Sequence, residues 1–143
     1  MTEQSIAGEE LILVVDDEPE LVNLMMRRLV RRGFKVVSAQ SEGEALRILD
    51  QQKIAAIICD INLGESNGFD LYRKRRAMRG LEPFVYLTGV EEIAHYISEI
   101  ANDPSCEFLS KPVDFQILMQ TLGKTMDAVA EGLGQAVRHQ DGA

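Results

Sequence analysis

The chain has 143 residues, 45% of them hydrophobic and 27% charged, the balance of one globular domain with a sizeable core. Its net charge of −8 and pI near 4.8 exclude the class of proteins that hold nucleic acid on a basic face or adhere directly to anionic membranes. No apolar stretch approaches the ~20 residues of a membrane span. Met1 to Glu10 has neither the basic nor the apolar region of a signal peptide, so the expected location is the cytoplasm.

Leu11 to Val15 is a continuous apolar run, as in a strand buried on both faces. Pro19 suits the first turn of a helix, and Leu21, Leu24, Met25 and Leu29 form its expected apolar stripe, with Gly33 as the stop. Lys35 to Ala39 reads as a short second strand. Ser41 and Glu44 have capping-box spacing, and Ala45, Leu46 and Leu49 give that helix a buried side. Ile54 to Cys59 is the third strand. Asn62 to Gly68 is dense in turn formers and reads as a loop. Phe69, Leu71 and Tyr72 open a third helix that ends near Gly80. Pro83 to Leu87 is the fourth strand, with proline tolerated at its first position. Glu91 to Ala101 is the fourth helix, with Ile93, Ile97 and Ile100 on one side. Cys106 to Leu109 is the fifth strand. Asp114 to about Glu131 is the last helix, apolar at Phe115, Leu118, Met119, Leu122, Met126 and Val129. The glycine-rich, polar stretch 132–143 is expected to be a flexible tail.

Five strands alternating with five helices predict a parallel sheet with helices on both faces, an α/β fold. Cys59 and Cys106 both fall in strands and are expected to be buried and reduced. His95 and His139 lack metal-ligand spacing and are expected at the surface. In such a sheet, ligands bind outside the carboxyl ends of the strands. The polar residues at those ends are Asp16 and Asp17 after the first strand, Asp60 after the third, Thr88 after the fourth and Lys111–Pro112 after the fifth. Each alone has an ordinary explanation: helix-start acids favoured by the macrodipole, a turn aspartate, an N-cap, a plain turn. Together, three carboxylates, a hydroxyl and an ammonium in one crevice suit a hard divalent cation and a phosphoryl group.

With these residues at these strand ends, residues 9–131 resemble a two-component response-regulator receiver domain, similar to the single-domain chemotaxis regulator. The resemblance implies a doubly wound (βα)5 flavodoxin-like sandwich whose five-stranded parallel sheet has the order 2-1-3-4-5. It implies Asp60 as phospho-acceptor, Lys111 and Thr88 as phosphoryl-binding groups, and Mg²⁺ held by Asp16, Asp17, Asp60 and the backbone carbonyl of Asn62. Thr88 and Phe108 would be the switch pair, and Lys111–Pro112 a cis peptide. Four positions depart from the family pattern. Gly64 stands where a proline is usual, which should loosen the loop. Gly89 follows the hydroxyl residue, and Ser105–Cys106 replaces Gly-Ala. Phe108 carries no hydroxyl, so any aromatic switching must work by packing.

The implied partners are a histidine kinase or histidine phosphotransfer protein, and a downstream output protein or domain, with a homodimer open. The basic cluster Arg27, Arg28, Arg31 and Arg32 reads either as a solvated face or as a docking patch for an acidic surface on the kinase side. The expected role is a phospho-accepting signalling switch, not an enzyme beyond its own phosphoryl transfer and autodephosphorylation. Three alternative functions fit the residues less well. A flavin mononucleotide carrier needs a hydroxyl- and glycine-rich phosphate loop, where this chain has Asp-Asp-Glu-Pro. An aspartyl phosphatase resembling haloacid dehalogenases spaces its two acids differently. A phosphorylation-independent adaptor of the same fold would normally lack one of the five groups.

Overall fold

In a computed structural model, the backbone of residues 10–142 and the side chains of residues 10–132 are described. The apolar run at the start becomes β1 (Leu11–Val15), hydrogen-bonded on one side to β2 (Lys35–Ala39) and on the other to β3 (Ala56–Asp60). β6 (Phe84–Thr88) and β7 (Cys106–Ser110) complete the sheet in the order β2-β1-β3-β6-β7, all parallel. Counting only these five strands, that is the expected order 2-1-3-4-5. The helices are α1 (Pro19–Arg31), α2 (Glu42–Gln51), α3 (Phe69–Ala77), α4 (Val90–Tyr96) and α5 (Phe115–Gly142).

Strand alternation divides the core into two layers. Leu13, Val15, Ile57, Cys59, Phe84, Tyr86 and Phe108 pack with Ala45, Leu49, Phe69, Leu71 and Tyr96 on the α2–α3–α4 face. Ile12, Val14, Ala56, Ile58, Val85 and Leu87 pack with Val22, Met25, Leu29, Leu118 and Leu122 on the α1–α5 face. Cys59 and Cys106 are buried, free thiols, with β6 between their strands. Ser41 caps α2 by accepting a hydrogen bond from Glu44 N–H (3.2 Å), while Glu44 reaches back to Gln40 N–H (2.9 Å). His95 is exposed; the side chain of His139 lies outside the described residues.

The structure corrects several sequence expectations. The buried stripe of α1 is Val22, Met25 and Leu29; Leu21 and Leu24 remain 37% and 44% exposed. Both sets have helical spacing, and only the rotation of the helix on the sheet distinguishes them. The fourth helix breaks into α4 and a 3₁₀ turn, Ile97–Ile100. Ile93, Tyr96 and Ile100, at ordinary helical spacing, face the core, and Ile97 is left 48% exposed. The expected loop at 62–68 holds a small antiparallel hairpin, β4 (Asn62–Leu63) and β5 (Ser66–Asn67). Gly64, at φ +70°, occupies the first central position, where type II′ turns place glycine. α5 continues to Gly142, past the expected end near Glu131. A glycine costs a helix only about 1 kcal/mol, and the residues around Gly132 and Gly134 are adequate helix formers. The side chains of residues 133–143 lie outside the described residues, and with them the expected flexible tail. Among the described residues, no helix is long and apolar enough to cross a membrane.

Candidate functional site

The parallel register assembles the site. Val15 pairs with Cys59, Asp60 with Leu87, and Thr88 with Ser110. Asp16 therefore leaves β1 beside Asp60, and Lys111 leaves β7 beside Thr88. The Lys111 N–H donates to the Thr88 carbonyl at 2.8 Å. The Lys111–Pro112 peptide is cis.

Asp16 and Asp60 are only 7% and 6% exposed. Asp60 Oδ2 is 2.7 Å from Lys111 Nζ, and its Oδ1 accepts from Asn62 N–H at 3.0 Å. Asp16 Oδ1 accepts from Glu18 N–H at 2.9 Å. Burial pushes the Asp16 carboxyl above its usual range; the Glu18 N–H opposes this and the Asp60 charge adds to it. Burial opposes the Lys111 ammonium, but its hydrogen bond and charge pairing with Asp60 prevail, so its pKa is raised. Thr88, buried at the end of β6, completes the expected group.

Carboxylate oxygens of Asp16, Glu18 and Asp60 lie within 4.8 Å of one another. Three carboxylates facing one lysine leave an excess of negative charge, and all the donors are hard oxygens. This set suits a divalent cation of the Mg²⁺ type. Asp17 is outside that trio: it is exposed, and its Oδ2 would lie 3.3 Å from a Cβ placed on Gly64. Glu18, present in the sequence only as part of the Asp-Asp-Glu-Pro run, was not among the expected ligands, yet its carboxylate lies with those of Asp16 and Asp60. Its position as the third acid of the Asp16–Asp17–Glu18 run was the available signal.

The close approach of the 61–68 segment to Asp60 explains Gly68. A Cβ there would sit 2.0 Å from the Asp60 carbonyl oxygen. The Gly68 N–H donates to the Ile61 carbonyl (2.5 Å), and its carbonyl accepts from the Tyr86 hydroxyl (2.8 Å). Phe108 is buried, its ring 5.7 Å from Tyr86 and 5.9 Å from Phe69. A cavity of ≈ 560 Å³ opens beside the acids, walled by Leu21, Leu24 and Met25 of α1 and by Pro112 and Val113 after β7. The two leucines that α1 leaves exposed are thus part of its wall.

Residues 12–123 match the family model described as response regulator receiver domain. The chain is 31% identical over 119 residues to the transcriptional regulatory protein GlrR of Escherichia coli (strain K12), an alignment covering 83% of this chain. It spans only 27% of that relative's length. Among solved structures, it is similar to a response regulator receiver domain protein from Clostridium thermocellum (TM-score 0.74, 26% identity, 82% of this chain and 94% of that one). It is also similar to the response regulator TrrA of Thermotoga maritima, solved in complex with Mg(2+)-BeF (TM-score 0.71, 26% identity, 81% and 98%).

Proposed function

The chain belongs to the response-regulator receiver family of two-component systems, and from that premise we propose that Asp60 accepts a phosphoryl group from a phosphohistidine donor. The observation that carries this reading is the buried Asp60 carboxylate, held 2.7 Å from Lys111 Nζ beside two further carboxylates. A carboxylate attacks a phosphoryl dianion poorly because both are negative. Mg²⁺, when bound, supplies the charge that offsets this repulsion. Asp16, Glu18 and Asp60 are its proposed holders, with Asp17 and the Asn62 carbonyl as the further ligands implied by the family. The similar Thermotoga response regulator, solved in complex with Mg(2+)-BeF, supports Mg²⁺ as the cation.

In the proposed step an Asp60 oxygen bonds to phosphorus as the P–N bond of the donor breaks. The departing imidazole keeps the electron pair and takes up a proton. Lys111 then moves its charge from the carboxylate to a phosphoryl oxygen, acting as a point charge. The Thr88 hydroxyl and the backbone N–H groups near 61–62 and 89 donate to the others.

The role is that of a signalling switch. The donor is a histidine kinase or phosphotransfer protein. Arg27, Arg28, Arg31 and Arg32 are exposed on or beside α1, with Arg28 and Arg32 5.1 and 5.8 Å from the Phe115 ring centroid, and they form the proposed acidic-partner patch. The readout is the α4–β7–α5 face, where Val90, Ile97 and Ile117 are exposed. It would engage an output domain or a second copy. The relative's name, a transcriptional regulatory protein, supports an output that governs transcription.

Incubation with acetyl phosphate and Mg²⁺, followed by intact mass spectrometry, tests the proposal. One added phosphoryl group that requires both Asp60 and Mg²⁺, with none on Asp60→Ala, is the expected result. A folded protein that takes none would make it a phosphorylation-independent adaptor. Charge reversal of the α1 arginines should slow transfer from the partner and spare transfer from acetyl phosphate; equal losses would remove the docking role.

A further inference from the structure

The hairpin after Asp60 is tied to α4 by a contact that the chemistry above does not use. Asn62, whose N–H donates to Asp60 Oδ1, pairs across the hairpin with Asn67. The Asn67 amide is occupied at both ends. Its Oδ1 accepts from Phe69 N–H at 2.8 Å, closing an Asx turn just before α3, and its Nδ2 donates to the Tyr96 hydroxyl. The backbone N–H fixes which end of the amide is the oxygen, so the nitrogen must face Tyr96.

Tyr96 is in turn held firmly. Its ring is buried and stacks on Phe69 at 4.8 Å between centroids. The Arg73 guanidinium lies 5.0 Å from the Phe69 ring centroid and 5.7 Å from that of Tyr96. Arg73 is anchored by two hydrogen bonds to Glu99 (3.0 and 2.6 Å), on the 3₁₀ turn directly after Tyr96. Phe69 also adjoins Phe108 and Tyr86. Phe108 has no hydroxyl with which to reach the hairpin. Among the described residues, Tyr96–Asn67 is the only side-chain hydrogen bond between α4 and residues 61–68.

We propose that Tyr96 is a positioning residue: through Asn67 it fixes the hairpin that aims the Asn62 N–H at Asp60, and so couples phosphoryl transfer to the seating of α4. This rests on the reading of Asp60 as phospho-acceptor. When an Asp60 oxygen bonds to phosphorus, its partner N–H must readjust. The hairpin ladder passes that movement to Asn67 and on to Tyr96. Linkage makes the coupling reciprocal, so a partner that seats α4 also readies the acceptor.

The test is Tyr96→Phe, which keeps the ring and removes the hydroxyl. Ser41→Ala, which loses a remote helix cap, serves as a control of similar stability loss. Phosphoryl uptake from acetyl phosphate with Mg²⁺ is followed by intact mass. Tyr96→Phe is expected to slow uptake at least threefold while Ser41→Ala leaves it unchanged. Combining Tyr96→Phe with Asn67→Ala should slow it no further than Asn67→Ala alone. Wild-type uptake in Tyr96→Phe, equal slowing in the control, or independent effects in the double variant would each overturn the proposal. No uptake by the wild-type chain would instead overturn the reading of Asp60, and this inference with it.

Discussion

Replacing Asp103 with alanine should remove one of the strongest polar ties in the molecule, at the end of the sheet opposite the acids. Asp103 lies in the turn before β7. Its Oδ2 accepts from the Tyr72 hydroxyl (2.6 Å) and Arg76 Nε (3.0 Å), and its Oδ1 from the Ser105 N–H (3.0 Å) and hydroxyl (2.5 Å). Arg76 also donates to Ser105 Oγ and the Gly80 carbonyl while lying over Tyr72 and Phe84. One carboxylate thus clamps α3 to the start of β7. Burial alone would raise its pKa, but the Ser105 and Tyr72 hydrogen bonds and the Arg76 charge overcome that and hold it near 2, against an ordinary 3.8. At about 1.4 kcal/mol per unit this is at most ~2.5 kcal/mol. The side chain is 24% exposed, and screening brings the contribution to about 1.5–2 kcal/mol. Alanine also leaves the Arg76 charge and the Tyr72 hydroxyl without their partner, so the total loss at pH 7 should be about 2–3 kcal/mol. With a urea slope of ~2 kcal/mol/M, the unfolding midpoint followed by far-UV circular dichroism should fall by ~1–1.5 M. A group with a depressed folded pKa stabilises above its unfolded pKa and loses that contribution as pH falls through the folded one. The gap between wild type and variant should therefore be full above about pH 4 and shrink toward pH 2. A midpoint shift under ~0.25 M at pH 7, or a gap that ignores pH over that window, would refute the clamp.

Gly68→Ala forces a methyl to 2.0 Å from the Asp60 carbonyl, backbone that cannot yield without moving the acceptor. A loss of roughly 2–4 kcal/mol together with impaired phosphoryl uptake is expected, read by thermal melting and intact mass. A variant as stable and reactive as wild type would show that the close approach is unimportant. Asp16→Asn removes one of the buried, mutually repelling carboxylates and should raise metal-free stability at pH 7 by about 1 kcal/mol while weakening Mg²⁺ binding. Calorimetric Mg²⁺ titration and urea melts check the two arms; loss of stability without metal would contradict the repulsion argument. Ser41→Ala should cost about 1 kcal/mol in a urea melt, the typical value of an N-cap, and an unchanged midpoint would deny the cap any role.

The layered architecture and the polar groups at the strand ends were legible in the order of the amino acids. Runs such as Leu11–Val15, apolar at every position, suit strands buried on both faces, and their alternation with amphipathic helices implies a parallel sheet. Asp60, Thr88 and Lys111 were legible for the same reason: each is polar where a buried strand must end. Rotation and register were set only by packing between distant segments. Leu21 and Leu24 satisfy the same helical period as Val22 and Met25, and only packing on the sheet turned the leucines toward the cavity. Likewise, Tyr96 and Ile97 both fit a helical period after Ile93, and packing against Phe69 selects Tyr96 for burial. Glu18 joins Asp16 and Asp60 because the pairing of Val15 with Cys59 brings separate strand ends together. Asn67, a turn former by composition, becomes a bridge because Tyr96, 29 residues on, packs against it. Local preference acts over a turn or two of chain, whereas these contacts join segments that only the closed sheet makes neighbours.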